Sequence, residues 1–396
     1  MKRFAASYLY TLADGATEPV RNGFVEMSES GEVLRTGVCD DPSAEPVFFE
    51  GALCPGFVNA HCHAELSYLK GKFLKGSGMA GFIDQINALR DCTSMEEKKR
   101  SIQEAMDLMY SRGVVAMADI SNCSDSFDIK AAHPMYTRTF LEVFGDDPER
   151  CPEILEGVKA LSREAEEKGL DAAPTPHACY TMSRRLLGEV SALGLRSGFL
   201  SYHSEESDEE QQMIRSGSGP MWDNRVRNGL RTPPVTGTSS LQYFIDTLSS
   251  AGVSLPVDGH MLLVHECEMD EEGVAAAKAA FSHPFIALCP LSNMFIHNSL
   301  PPVNMLRESG IPLCVGTDSL SSNDDLSILE ELRCLELFFP SLSLGELLSW
   351  GSRNGALFLG KTALGELSEG KRPGLVLIDN LDSEGRLTHK SSSRLL

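Results

Sequence analysis

Eight short apolar runs, each followed by a segment long enough for a helix, constrain this chain more than any other feature. The runs are GFVNAHCH, VVAMADIS, MYTRTFLEVF, DAAPTPHACY, FLSYHSEE, MLLVHECE, FIALCPLSN and PLCVGTDS. Between them lie segments such as EEKKRSIQEAMDLMYSRG, PERCPEILEGVKALSREAEEKG and DLSILEELRCLELFF, with apolar residues at three- and four-residue spacing. Strand then helix, repeated eight times, predicts an α/β chain folded as a parallel (β/α)8 barrel. One repeat is weak, because no helix is visible after VVAMADIS. Residues 1 to about 55 and the stretch from Gly365 read differently, as short alternating runs (SYLYTL, GFVEMSE, PVFFEG) cut by Gly, Pro and Asp. Both ends are therefore expected to feed strands into one small sheet.

Composition narrows the function. The 396 residues carry a net charge of −21, which leaves no electrostatic footprint for nucleic acid or an anionic membrane surface. No stretch approaches the ~18 to 20 apolar residues that span a bilayer, and the N-terminus has no cleavage-type ending, so a cytoplasmic protein is expected. The 11 cysteines are scattered, without a CxxC pair. Reduced thiols fit that pattern better than a disulfide frame, and Cys62, Cys267, Cys289 and Cys314, inside apolar runs, read as small core residues. The acidic run SEESDEEQQ reads in its distal part as a solvated helix start.

The ten histidines divide by position. His61, His63, His177, His203 and His265 fall at the C-terminal ends of predicted strands, the face on which barrel active sites are built. His133, His260 and His283 lead into strands from the opposite face and read as structural, while His297 and His389 are left unassigned. His61 and His63, one residue apart on an extended strand, direct both imidazoles to one side. Barrel closure brings Asp318, in VGTDS at the end of the eighth strand, beside them. With His203, the set offers three neutral nitrogens and a carboxylate, and leaves room for a water, as a catalytic zinc or iron site requires.

The runs PGFVNAHCHAELS, PHACYTMS, HSEE, LLVHE, CPLSN and GTDS resemble, in order and spacing, the amidohydrolase superfamily, in its branch of adenosine, S-adenosylhomocysteine, aminodeoxyfutalosine, guanine and cytosine deaminases and triazine chlorohydrolases. The resemblance implies a TIM barrel over 56–359 beside a small β-sandwich built from 1–55 and 360–396, with Pro373 and Gly374 departing from the family's usual Ala-Asp pair. It implies His61, His63, His203 and Asp318 as ligands of one divalent metal, zinc first, with iron or manganese served by the same donors. DAAPTPHACY lacks the lysine that bridges two metals in binuclear members. Glu206 matches the glutamate that handles the ring-nitrogen proton, and His265 the histidine that orients the attacking water or the leaving group. His177 matches a substrate-contacting histidine, and Arg138 lies near an arginine used by some nucleoside-deaminating members, with a barrel ion pair as its other reading.

The expected activity is metal-dependent hydrolytic deamination of an aminopurine nucleoside, with Glu206, His265 and Asp318 catalytic. A free-base deaminase or a chloro- or cyclic-amide-ring hydrolase on the same site is the alternative, and an inactive binding protein on the same barrel is the alternative of another class. A small-molecule substrate is expected as partner, with neither nucleic acid nor membrane, and a homo-oligomer is left open.

Overall fold

The opening segment, with apolar residues on alternate positions, forms four strands: β1 (Lys2–Leu9), β2 (Val20–Met27), β3 (Val33–Val38) and β4 (Phe48–Pro55). The eight apolar runs follow as β5 (Phe57–Cys62), β6 (Val114–Ser121), β7 (Tyr136–Val143), β8 (Asp171–Pro176), β9 (Phe199–Ser204), β10 (His260–His265), β11 (His283–Leu288) and β12 (Leu313–Val315). The C-terminal segment adds β13 (Leu375–Asp379) and β14 (Ser392–Leu395). This is a computed structural model that describes residues 1–45, 47–254 and 257–396, so Pro46, the first residue of the PVFFEG run, lies outside the described residues.

The terminal strands combine as expected, into one six-stranded sheet of order β14-β13-β4-β1-β2-β3. β13 pairs antiparallel with β4, from Leu375 opposite Pro55 to Asp379 opposite Gly51, so the chain's end closes on its beginning. The other eight strands are all parallel to their neighbours and form two four-stranded sheets, β5-β6-β7-β8 and β12-β11-β10-β9. Helices separate them, including Met95–Ser111 and Cys151–Glu167, each with an apolar stripe buried inward. The repeat without a visible helix has one of six residues, Phe127–Ala132. It is too short for a periodic pattern to register. No helix among the described residues is long and apolar enough to cross a membrane.

The two parallel sheets meet at both edges. Along one seam Cys62 bridges to Asp318, and the His61 carbonyl accepts from the N–H groups of both Thr317 and Asp318, at 3.0 Å each. Along the other, His203 N donates to His177 O at 3.0 Å and Ser201 N donates to Thr175 Oγ1 at 3.0 Å. One buried cluster draws on both sheets, taking Val58, Ala118, Phe140, Leu262, Phe285 and Cys314 from six different strands. Burial of such groups, at roughly 25 cal/mol per Å² of apolar surface, is the main force holding the halves together.

Behind β5 and β6 lies a charge pair with both side chains fully buried, Lys130 with Asp119. Asp119 also accepts the N–H of Ala64, the residue after His63, at 2.8 Å. The pair therefore anchors the chain where it leaves the HxH strand. Removing one member of such a pair would strand a buried charge.

Gly316 marks a close backbone approach across the first seam. A Cβ there would stand 2.7 Å from the Cβ and the carbonyl oxygen of His61, in a seam with no room to yield. Gly316→Ala is expected to cost about 1 to 3 kcal/mol, the usual penalty for overpacking. Urea denaturation measures it; a midpoint equal to that of the unaltered protein would show that the seam can open without cost.

Candidate active site

His61, the residue of β5 before Cys62, and His63, just beyond the strand, place their Nε2 atoms 3.2 Å apart. Asp318 faces them from across the seam, Oδ1 lying 3.8 Å from His61 Nε2 and 3.5 Å from His63 Nε2. Its other oxygen is already engaged: Oδ2 accepts from Ser292 Oγ at 2.6 Å and Ser322 Oγ at 2.8 Å. Two serines thus leave one carboxylate oxygen aimed at two imidazoles. His203, at the end of β9, brings its ring centroid to 4.8 Å from that of His61 and 5.5 Å from that of His63. His265 closes the group from β10, at 5.8 Å from His61.

Local backbone strain holds this arrangement. His265 (φ 82°), Asp318 (φ 55°), Glu205 (φ 47°) and Glu266 (φ 53°) all occupy the left-handed region, which costs a non-glycine residue on the order of 1 to 3 kcal/mol unless its surroundings enforce it. All four are buried at the C-terminal ends of strands or in the turns just beyond them.

Burial favours the neutral imidazole at His61, His203 and His265. It pushes His61 well below the ordinary histidine value, helped by His203 and His63, and it pushes His265 down to about 4. Burial alone would raise Asp318, yet His63, His265 and the two serine hydroxyls outweigh it and hold the carboxyl below its usual range. Neutral nitrogens and an ionised oxygen converging on one point are the donor set of a divalent transition metal. His61 Nε2, His63 Nε2 and Asp318 Oδ1 fit such an ion, with His203 as the fourth candidate donor.

Glu206 stands beside the cluster, 4% exposed, with Oε1 at 3.5 Å from His265 Nε2. Burial raises its pKa well above the ordinary glutamate value, and Asp318 and Glu210 push it further. Its surroundings thus favour the protonated carboxyl over the carboxylate. Asn293 Nδ2 faces His265 Nδ1 at 3.1 Å; an amide nitrogen donates, so His265 carries its own hydrogen on Nε2, toward Glu206. His177 is fixed through Nδ1 to Thr181 Oγ1 at 2.8 Å.

These groups line the floor of a cavity of about 640 Å³. Its outer walls are apolar, with Phe82, Ile83 and Ile86 from the helix Gly78–Leu89 facing Met221 and Leu230. A mostly apolar cleft with a few convergent polar groups at its base is the usual form of a small-molecule site.

One expected site residue is elsewhere. Arg138 is the third residue of β7, near its N-terminal end, and does not line the cavity. It pairs with Asp171 at 2.7 Å and donates to Ser197 Oγ at 2.7 Å, which fits its reading as an ion-pair residue and not as a substrate contact. His133 and His260 are structural as expected, facing Asp107 at 3.3 Å and the Phe358 carbonyl at 2.6 Å. His297, at the end of the helix Pro290–His297, is not among the cavity-lining residues.

The amidohydrolase family model matches residues 52–392, which takes in all eight parallel strands. The chain belongs to the amidohydrolase family. Within it, the chain is 29% identical over 347 residues to an adenosine deaminase of Helicobacter pylori, covering 84% of this chain and 80% of that protein. It is 27% identical to a 5-methylthioadenosine/S-adenosylhomocysteine deaminase of Pelotomaculum thermopropionicum, covering 82% and 71%. Among solved structures, the Helicobacter pylori aminofutalosine deaminase in complex with methylthio-coformycin superposes with a TM-score of 0.78 at 26% identity, over 98% of this amidohydrolase and 94% of that chain.

Several groups around this site escape a reading of the sequence. Ser292 and Asn293 sit in CPLSN, a motif that resembles the family's but carries no obvious chemistry. Glu142 is a carboxylate inside the apolar run MYTRTFLEVF, and that anomaly is its signal. Glu210 belongs to the acidic run expected to be solvated, yet it is 1% exposed and accepts the Glu206 N–H at 2.9 Å.

The purified protein is expected to hold about one divalent metal per chain, and His63→Ala to lose metal and turnover together. Elemental analysis and assay check this; full activity in that variant would make the HxH pair structural. A second expectation concerns acid. An unfolded histidine titrates near ~6.5. Because His265 is held at about 4, at this group the unfolded chain binds more protons between these values, so the contribution of His265 and the other depressed histidines to stability is lost as pH falls through that window. Urea denaturation of metal-free protein at pH 7 and pH 5 should show the loss, and equal midpoints would contradict it.

Proposed function

We propose that this amidohydrolase is a hydrolytic deaminase that converts a 6-aminopurine nucleoside to its 6-oxo counterpart, with one divalent metal, zinc first, held by His61, His63, His203 and Asp318. The fold that goes with this reading is a closed (β/α)8 barrel over 56–359, formed by joining the two parallel sheets, beside a small β-sandwich of residues 1–55 and 360–396 that contains the six-stranded sheet.

The observation that carries the proposal is Glu206, a buried carboxyl that lines the cavity beside the donor cluster, 3.5 Å from His265 Nε2, in surroundings that favour its protonated form. Simple amide hydrolysis has no ring nitrogen for such an acid to protonate. Deamination of an aromatic amidine does, because the carbon bearing the amino group becomes electrophilic only when the adjacent ring nitrogen is protonated. The deaminases among the relatives support the same choice.

A divalent metal, when bound, brings the pKa of a water down to about 7 and so supplies a nucleophile at neutral pH. The chain's own groups manage the protons. Glu206 gives its proton to the ring nitrogen as the water's oxygen bonds to the amino-bearing carbon. Asp318 Oδ1, directed inward by Ser292 and Ser322, accepts one proton of that water and passes it to the departing amine. The carbon–nitrogen bond then breaks and ammonia leaves, while the second water proton returns to Glu206 as the carbonyl forms. His265, with Nε2–H toward Glu206, orients the incoming and departing groups, and His177 bounds the substrate on the side of β8.

The test is a panel of 6-aminopurine nucleosides, guanine and cytosine, followed by ultraviolet change and ammonia. One ammonia per turnover from a nucleoside is expected; halide or a ring-opened acid without ammonia, from other substrates, would reassign the chemistry. Glu206→Gln keeps its size and should keep metal at the unaltered stoichiometry while kcat falls by roughly 10² to 10⁴-fold. Loss of metal in that variant would make Glu206 a ligand.

A further inference from the structure

The structure holds a second convergence of donor groups beside the first. Glu142, His177 and His203 each place one ligand-type atom within 4.8 Å of the others, and His203 belongs to both clusters. What this second group does depends on which nitrogen of His203 carries the hydrogen. His203 Nδ1 lies 3.3 Å from the His177 carbonyl oxygen and 3.4 Å from Glu142 Oε1. Both neighbours can only accept. Nδ1 must therefore carry the hydrogen, and the lone pair is left on Nε2. A protonated Nδ1 cannot bind a cation, so this cluster lacks one of the three donors a second ion would need.

Glu142 is built to stay where it is. It ends β7, its side chain is 4% exposed, and Asn122 Nδ2 holds Oε2 at 3.0 Å and the Glu142 carbonyl at 3.1 Å. Asn122 is held in turn through its backbone N–H, at 3.0 Å from each oxygen of Glu65. Glu142 Oε1 is sealed from solvent and has no hydrogen bond of standard geometry. A buried oxygen in that state costs on the order of 1 to 3 kcal/mol. His203 Nδ1 faces that oxygen at 3.4 Å.

We propose that Glu142 is a positioning residue for His203: its carboxylate, clamped by Asn122, fixes the imidazole with Nδ1–H outward and Nε2 inward, and its negative charge makes that nitrogen a stronger metal donor. The inference rests on the reading of His203 as a metal ligand. It adds that the Glu142 cluster is the outer support of one metal site and not a second site.

Zinc affinity tests it directly, by competition with a chromophoric chelator on metal-free protein. The unaltered chain should bind one equivalent. Glu142→Gln, which keeps shape but loses charge, should still bind one equivalent with the dissociation constant raised about 10- to 100-fold, the usual effect of losing such a partner. Unfolding of the metal-free form should be little changed, and turnover should recover at saturating zinc. Asn122→Ala, which frees the carboxylate without touching it, should weaken zinc by a smaller factor and carries the test if the first variant does not fold.

Two equivalents in the unaltered chain, one of them lost in Glu142→Gln, would make Glu142 a ligand of a second ion and overturn the proposal. Unchanged zinc affinity with a raised KM would make Glu142 a substrate contact and overturn it too. If His203→Ala also left zinc affinity unchanged, the ligand reading itself would fall, an outcome distinct from failure at Glu142 alone.

Discussion

The arrangement depends on one backbone contact, the carbonyl of His61 accepting two N–H groups from Thr317 and Asp318. A second seam, with His203 N donating to His177 O, joins the same two sheets, but the His61 contact is the one that sets the register at the candidate donors. With it, the sequence-distant ends of β5 and β12 are locked to within a hydrogen bond, and Asp318 has no choice but to face His61 and His63. Side-chain chemistry at this site is thus a consequence of main-chain pairing. Gly316 is the residue that lets the two backbones come so close.

Around that contact the fold accepts several unfavourable terms. Four buried residues sit in the left-handed region, and Glu206, Glu210, Glu266 and Glu331 are carboxyls pushed up in pKa by burial. Some of these acids have local work: Glu210 accepts the Glu206 N–H, and Glu331 accepts from Leu291 N and Asn323 Nδ2 behind the Asp318 loop. Polar groups buried at the ends of strands fix the loops that the apolar core cannot reach. Such loops carry function in barrels because the sheet beneath them is rigid.

The eight runs and the clustering of His61, His63 and His203 with Asp318 were legible in the sequence because each rests on a short-range rule: period-two alternation, strand-then-helix order, and strand ends sharing a face. Arg138 shows where such rules stop. It shares a strand with Glu142, but four residues at ~3.3 Å each put it roughly 13 Å further down, at the end of the strand away from the cavity. Placing it required the strand's limits, which a composition pattern blurs by several residues. Glu210 failed for a different reason. An acidic run reads as solvated, but its third helical position turns inward beneath Glu206, and only packing decides that. The terminal segments were legible as strands for one sheet, while the sheet's order, with β13 beside β4, depends on contacts between the two ends of the chain.

The candidate donors do not come from one side of the molecule. His61 and His63 belong to the sheet β5-β6-β7-β8, and His203 belongs to the sheet β12-β11-β10-β9, with Asp318 just beyond β12. Neither half could assemble this set alone. An ion bound here is therefore a staple across the seam, present only when both halves have docked, and its binding energy is added to the folding of the whole. By mass action each tenfold rise in free ion above its dissociation constant adds about 1.4 kcal/mol to that stability. Metal supply in the surroundings would then set how long the folded chain lasts as well as how fast it turns over.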